Sequence, residues 1–389
     1  MANSQEEWSR RKFIATLAGV GTTMMLSPLL SWAEDEIGPR IAKIVAKTIG
    51  VDTHNHIDVP LSGDLPYPAI DLAGDLQKSG LSAICMTFAV DYQKLVNPDD
   101  GYKRFINGLN AMDDALKSNK MKRSLNLSDL KTAHKKHQAT VIQSVEGGHF
   151  LEGKIERLEE AYQRGLRHLG LLHDNDASVP LGDIFTNPVK WGGLTPFGEE
   201  VIKEANRLGI MIDLAHCTND AVNAALKIST KPVIISHTGL DTQLGSNANF
   251  AKMMKPRLIS KEQAKIVAEA GGVIGVWTHL SDSPMEYVQN VRALVDIVGI
   301  DHVCIGTDTK LTPAYRPPAP NQGKENTPPK EKPKARVGER TNEAWQDQKV
   351  GFYYAVVDAM LKTGFNEDEI IKFGGGNFCR IFDAATTGK

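Results

Sequence analysis

Eight short runs rich in apolar and β-branched residues recur along the chain, at 49–57, 82–90, 140–147, 167–173, 210–216, 232–237, 272–278 and 302–308. They lack a strict alternation of apolar and polar positions, as parallel strands covered on both faces do. Segments with helical periodicity separate most of them, for example at 154–164, 196–208, 261–270 and 287–298. Strands alternating with helices predict a parallel sheet with right-handed crossovers. Eight such units predict an α/β fold, a (β/α)8 TIM barrel whose site lies at the carboxyl ends of the strands. The alternative is an open doubly wound sheet, but no Gly-rich dinucleotide fingerprint follows the first run. Two stretches break the pattern. Residues 91–138 form a long excursion with a helical segment at 101–117. Residues 310–341 are rich in Pro, Lys and Glu and read as a solvated loop or as a lid over the site. Helical segments at 341–361 and 367–382 end the pattern.

Composition adds little to this picture. Of 389 residues, 41% are apolar and 24% charged, with a net charge of −2, which is ordinary for a globular protein and gives no nucleic-acid footprint. The amino terminus is different. Ser9-Arg10-Arg11-Lys12-Phe13 precedes an apolar stretch to Leu30, and Ser31-Trp32-Ala33 resembles a cleavage site. Residues 1–33 therefore read as a twin-arginine-type signal peptide, which implies a periplasmic or otherwise exported chain. The alternatives are an ordinary secretory signal or a membrane anchor, but Gly19, Gly21, Thr22, Thr23 and Pro28 make a poor membrane span. Residues 34–389 then form one domain. Cys85, Cys217, Cys304 and Cys379 contain no C-x-x-C pair and read as free, structural thiols.

The chemistry collects at the ends of the runs. At or just after the end of the first run come His54, His56 and Asp58, of the third Glu146, of the fourth His173 and Asp174, of the fifth Asp213 and His216, of the sixth His237, and of the eighth Asp308. Residues two apart on a strand point the same way, so His54 and His56 can share a metal ion. A lone His216 or His237 is more often a hydrogen-bonded core histidine than a ligand. Together, histidines and carboxylates at this many strand ends predict a metal site, because buried charged groups are costly unless paired or coordinated. His and carboxylate ligands suit zinc, and also manganese, iron or cobalt. The size of the set suggests two ions, with Glu146 bridging and a metal-activated water as nucleophile. Asp308 can pass the proton to a leaving nitrogen, or can be a further ligand or a plain strand-end carboxylate. Asp213 reads as a supporting residue, His149, His279 and Asp174 as pocket-lining, and His134 and His137 as surface residues. Strand alternation turns Cys217 away from His216.

The blocks Asp52-x-His54-Asn55, Glu146-Gly147-Gly148-His149, Gly165-Leu166-Arg167-His168-Leu169 leading to His173, and Ile212-Asp213-Leu214-Ala215-His216 follow in order along the chain. So do Pro232-Val233-Ile234-Ile235-Ser236-His237-Thr238, Gly299-Ile300-Asp301-His302-Val303-x-Ile305-Gly306-x-Asp308 and Gly376-Asn377-Phe378-x-Arg380-Ile381-Phe382. This order resembles the membrane (renal-type) dipeptidase family of amidohydrolase-like metal-dependent hydrolases, from about Val51 to Phe382. The resemblance implies a zinc-dependent dipeptidase, or a related amidohydrolase acting on another amide, an N-acyl amino acid or a lactone. It implies two Zn2+ ions per chain, one on His54 and His56, one on His216 and His237, and Glu146 between them. Asp308 and His173 become catalytic, His173 also contacting the substrate carbonyl. Arg257 becomes the grip on the substrate carboxylate, against the alternative of a solvated charge. The expected partner is a small dipeptide; a homodimer stays open, and neither nucleic acid nor a membrane span in the mature chain is expected. The chain departs from the family in three places. His56 stands where an aspartate is usual, Thr309-Lys310 and the Pro-rich stretch replace an acid and a glycine, and the stretch from His237 to Arg257 is longer.

Overall fold

Each of the eight runs becomes a strand shorter than its pattern suggests. The computed structural model describes residues 37–63, 69–315 and 337–387. Its strands are β1 (Val51–His56), β2 (Ala83–Thr87), β3 (Thr140–Glu146), β4 (Leu166–Gly170), β5 (Met211–Asp213), β6 (Ile234–Thr238), β7 (Val273–Val276) and β8 (Val303–Ile305). A short extra strand, β9 (Thr309–Lys310), was not foreseen from the sequence. The strands form one sheet in the order β8-β7-β6-β5-β4-β3-β2-β1-β9, and every pairing is parallel. Every residue of β1 to β8 is buried, which is why the runs show no polar alternation.

Helices connect the strands and start where the sequence provides caps. In the helix Pro196–Leu208, Thr195 accepts a hydrogen bond from Gly198 N, Pro196 opens the first turn, and Gly209 ends the helix in a left-handed conformation. The helix Pro284–Val298 starts in the same way on Ser283. The 341–361 segment differs from its expected form. Thr341–Glu343 is a single 3-10 turn, and the helix begins only at Phe352. Local polar bonds compete with the helical ladder here: Ala344 N donates to Gln348 Oε1 at 2.9 Å, and Asn342 Nδ2 to Asp75 O at 2.9 Å.

The strand ends that matter are tied together through β1. Thr53 Oγ1 lies 2.9 Å from Ser236 O on β6 and 2.8 Å from Ile305 O on β8, while Asp308 N donates to His54 O at 3.1 Å. Gly275 and Gly306 allow this close approach, since a Cβ on either would lie 1.9 or 1.7 Å from Ser236 O. Lys310 pairs with His56 on β1, and its N donates to Glu339 O at 3.0 Å. Residues 1–33 and 316–336, which carry the signal-peptide reading and most of the lid reading, lie outside the described residues. Among the described residues no helix is long and apolar enough to cross a membrane.

Candidate metal centre

The carboxyl ends of β1, β3, β5, β6 and β8 bring His54, His56, Glu146, His216, His237 and Asp308 into one space. Glu146 stands at its middle. His54 Nε2 lies 3.4 Å and His216 Nε2 2.9 Å from Glu146 Oε1, with His237 Nε2 at 3.7 Å. His56 Nε2 lies 3.6 Å and His173 Nε2 3.2 Å from Oε2. The imidazoles also meet in pairs, His54 Nε2 to His56 Nε2 at 3.1 Å and His216 Nε2 to His237 Nε2 at 3.0 Å. Asp308 Oδ1 lies 3.3 Å from His56 Nε2. Four overlapping groups able to hold an ion result among the described residues: His54, His56 and Asp308; Glu146, His216 and His237; His54, Asp213 and His237; and His173, Asp174 and His216.

The set fits divalent cations. Tetrahedral zinc with nitrogen and oxygen ligands at its usual bond lengths separates neighbouring ligand atoms by about 3.3 Å. The contacts above run from 2.9 to 3.7 Å. Glu146 Oε2 is buried and accepts no well-formed hydrogen bond, despite the proximity of His173. A buried carboxylate oxygen left in that state is one that a cation or a bound water would satisfy. Each paired Nε2 also faces another Nε2 at hydrogen-bond distance, a contact that a proton on one of them, or a cation between two lone pairs, can satisfy.

Buried hydrogen bonds aim two of these lone pairs. Ser236 Oγ donates to Asp213 Oδ2 at 2.6 Å and lies 3.2 Å from His54 Nδ1 and 2.9 Å from His237 Nδ1. A hydroxyl has one proton and two lone pairs. With its proton on Asp213, Ser236 accepts Nδ1–H from both histidines, which leaves both Nε2 atoms free to bind metal. Asp213 itself accepts from Ala215 N, Ser236 N and the Ser236 hydroxyl, and His168 Nε2 lies 3.4 Å from its Oδ2. The other two histidines lean on the rim. His56 Nδ1 lies 3.1 Å from the Tyr92 hydroxyl. His216 Nδ1 is 3.2 Å from Asp174 Oδ1, an ion-pair distance without hydrogen-bond alignment.

The carboxylates make this space strongly attractive to positive charge. Burial pushes the Glu146 carboxyl up, but His173, His54 and His216 outweigh it and hold it well below the ordinary glutamate range. Burial likewise opposes the Asp308 carboxylate, and His237, His279 and His56 overcome it, holding the pKa well below the usual value. Burial alone would lower His54, yet Glu146 and Asp308 raise it to about 9. His216 rises to about 10 against its burial, through Asp174 and Glu146. Burial and its cationic neighbours His54 and His216 drive His237 down to about 3. Protons on His54 and His216 thus occupy the place a cation would take.

Several expectations need correction. His216 does not lie on a strand: β5 stops at Asp213, whose carboxylate captures Ala215 N, and His216 adopts φ +66°. Strand alternation therefore cannot set the direction of Cys217. Asp308 is also left-handed, at φ +55°, and a non-glycine residue in that region is uncommon and concentrates at functional sites. His134 is half-buried, 3.0 Å from Ser82 Oγ, so it is not a plain surface residue. Arg257 is brought to the rim, but its guanidinium meets Asp174 at 2.8 and 2.9 Å. Sequence reasoning missed Asp91, which binds His173 Nδ1 at 2.5 Å, and Tyr92. It placed His279 in the pocket without a partner; the partner is Asp308, at 3.1 Å. All four cysteines are free thiols.

A parallel α/β sheet with histidines and carboxylates gathered at its carboxyl edge defines the amidohydrolase-like class of metal-competent sites. Within that class, a family model described as membrane dipeptidase, peptidase family M19, matches residues 39–315, and the chain belongs to this family. It is similar to mouse Dipeptidase 3, with 26% identity over 250 residues, 61% of this chain and 43% of that protein, so it spans less than half of the relative's length. Solved structures resemble it in fold. A probable dipeptidase from Pseudomonas aeruginosa superposes with a TM-score of 0.69 at 16% identity, covering 90% of this chain and 99% of that one. An amidohydrolase from the same organism gives 0.68 at 22%, covering 89% and 99%. A Rhodobacter sphaeroides metallo peptidase, solved with a phosphinate mimic of the dipeptide L-Ala-D-Ala, gives 0.63 at 17%, covering 87% and 99%.

Proposed function

We propose that this chain is an exported, zinc-dependent dipeptidase that hydrolyses the peptide bond of dipeptides. The observation that carries the reading is the convergence of four imidazole Nε2 atoms on the two oxygens of one buried carboxylate, Glu146. His54 and His56 would hold one zinc, His216 and His237 a second, and Glu146 would bridge them. Two zinc ions there would polarise the scissile carbonyl and make water acidic enough to attack at neutral pH.

The protein's own groups do the rest. Asp308 turns Oδ1 toward the centre, while its Oδ2 is held by His279 at 3.1 Å. It is placed to accept at Oδ1 the proton that the attacking water gives up and to release it to the leaving amine nitrogen. His173, oriented through Nδ1 by Asp91, presents Nε2 to the same space and would donate to the substrate carbonyl oxygen. Arg257, at the mouth, is the candidate for the substrate's free carboxylate. The strand and side-chain links between β1 and the β8–β9 region support a closed (β/α)8 barrel around this site. Export rests on Arg10, Arg11 and the apolar stretch after them.

The test is metal analysis joined to a dipeptide screen. Purified protein should carry about two zinc ions, lose dipeptide hydrolysis to a chelator and regain it with zinc. Fully loaded protein inactive on a broad panel overturns the assignment. One observation favours a second reading, a related amidohydrolase acting on another amide, an N-acyl amino acid or a lactone. His56 makes the first ion's ligand set less negative than an aspartate would.

A further inference from the structure

Arg257 is not free to meet an anion. Its Nη2 lies 2.9 Å from Oδ1 and 2.8 Å from Oδ2 of Asp174, and the same Oδ1 is 3.2 Å from His216 Nδ1. The arginine is fixed at the site edge from behind, since Thr238 Oγ1, next to His237, donates to its carbonyl at 2.8 Å. Its guanidinium also lies 5.4 Å from the ring centroid of Phe185, which stacks on His216 at 5.3 Å. The cation is therefore anchored beside the metal centre, with an internal carboxylate where an incoming one would bind.

We propose that Asp174 is a specificity-determining residue, an internal competitor that occupies Arg257 and reduces the advantage of substrates with a free carboxylate over neutral ones. The proposal rests on the reading of Arg257 as the carboxylate grip. A dipeptide's terminal carboxylate must displace Asp174 before it gains the guanidinium, and the displaced carboxylate then needs water or another partner. A dipeptide amide or ester loses nothing by leaving the ion pair intact. Selectivity is a difference of affinities, so the internal pair compresses it from one side. The substrate class that follows is wider than strict dipeptides. It includes short amides whose carboxyl end is neutral.

The experiment compares kcat/KM for one dipeptide and its carboxy-terminal amide on the same zinc-loaded preparation, so that differences in zinc content cancel from the ratio. In the parent protein the acid-to-amide ratio should lie within about threefold of unity. Asp174→Asn keeps the size and removes the charge. It should raise the ratio about tenfold, the scale of one charge-assisted hydrogen bond, chiefly through a lower KM for the free dipeptide. Adding Arg257→Ala to that variant should cancel the gain. A ratio unchanged by Asp174→Asn overturns the proposal, including the case in which both substrates slow together because Asp174 only supports His216. A parent ratio already above about 100 overturns it as well. If neither compound is hydrolysed, the dipeptidase reading fails separately. Calorimetric affinities of the zinc-loaded proteins for the two compounds then supply the same ratio, and the same thresholds decide for or against the role of Asp174.

Discussion

The candidate centre has two halves built by different means. His54 and His237 are backed by Ser236 and Asp213, all buried and all on or directly after strands. His56 and His216 are backed by Tyr92 and Asp174, which come from loops; Tyr92 is 60% exposed and the Asp174 side chain 37%. Each proposed ion would thus take one histidine from the inner half and one from the rim. The inner half has a single satisfied hydrogen-bond arrangement, with every proton of Ser236 and both histidine Nδ1 atoms assigned. The rim has partners that solvent and ligands can replace. Rigidity for metal binding and adjustability for substrate are therefore separated within one ligand set.

The shared residue gives the strongest test of that division. Glu146→Gln keeps shape but removes the charge on which both halves converge, and should cost about 10³-fold or more in activity with loss of bound zinc. Retained zinc at normal stoichiometry would show that the halves bind independently of Glu146. Ser236→Ala acts on the inner half alone. It frees the tautomers of His54 and His237 together and should weaken zinc affinity by about 10- to 100-fold, measured by competition with a chromophoric chelator. An unchanged affinity would mean that the strand backbone alone fixes these rings.

The ligands and their loop-borne supports differ in how well the sequence announced them. The strand-borne residues were legible because parallel strands give continuous apolar runs, and because a polar residue at the end of such a run is expensive without a task. His54, His56, Glu146 and His237 were found in this way. The supports at the rim were not legible. Asp91 binds His173 across 82 positions, and no local spacing links a residue in the long excursion after β2 to the end of β4. Asp174 looked like pocket lining because its two partners, His216 and Arg257, lie 42 and 83 positions further on. His216 was found as a residue but assigned to a strand, since the left-handed turn after Asp213 leaves no glycine to mark it.

Protonation gives a third comparison, on the metal-free protein. His54 and His216 have folded pKa values of about 9 and 10, above the ordinary 6.5. The stability they contribute is fully present below pH about 6.5 and is lost as the pH rises through those values. His237, at about 3, has the opposite sign: its contribution is present above pH about 6.5 and is lost as the pH falls toward 3. Without metal, the melting temperature should peak near pH 6 to 7 and fall by several degrees on each side, as scanning calorimetry would show. Zinc should flatten the alkaline limb, because ligation requires the neutral imidazoles that high pH supplies. An alkaline limb that persists unchanged with zinc bound would place the titrating groups outside the centre.

The smallest effect is expected at Tyr92→Phe, and it bears most directly on the contrast between the halves. The substitution removes one hydroxyl from an exposed ring and leaves His56 Nδ1 within reach of water, so the histidine keeps a partner. Zinc affinity should fall by no more than about threefold, against the 10- to 100-fold expected for Ser236→Ala. The difference has a physical origin in what replaces the lost group. Water can enter at the rim and supply a hydrogen bond. At Ser236 the site is closed, and the Nδ1–H groups of His54 and His237 would be left buried without an acceptor. If the two substitutions weaken zinc equally in the same chelator competition, burial is not what distinguishes the supports, and the rim is as fixed as the strands.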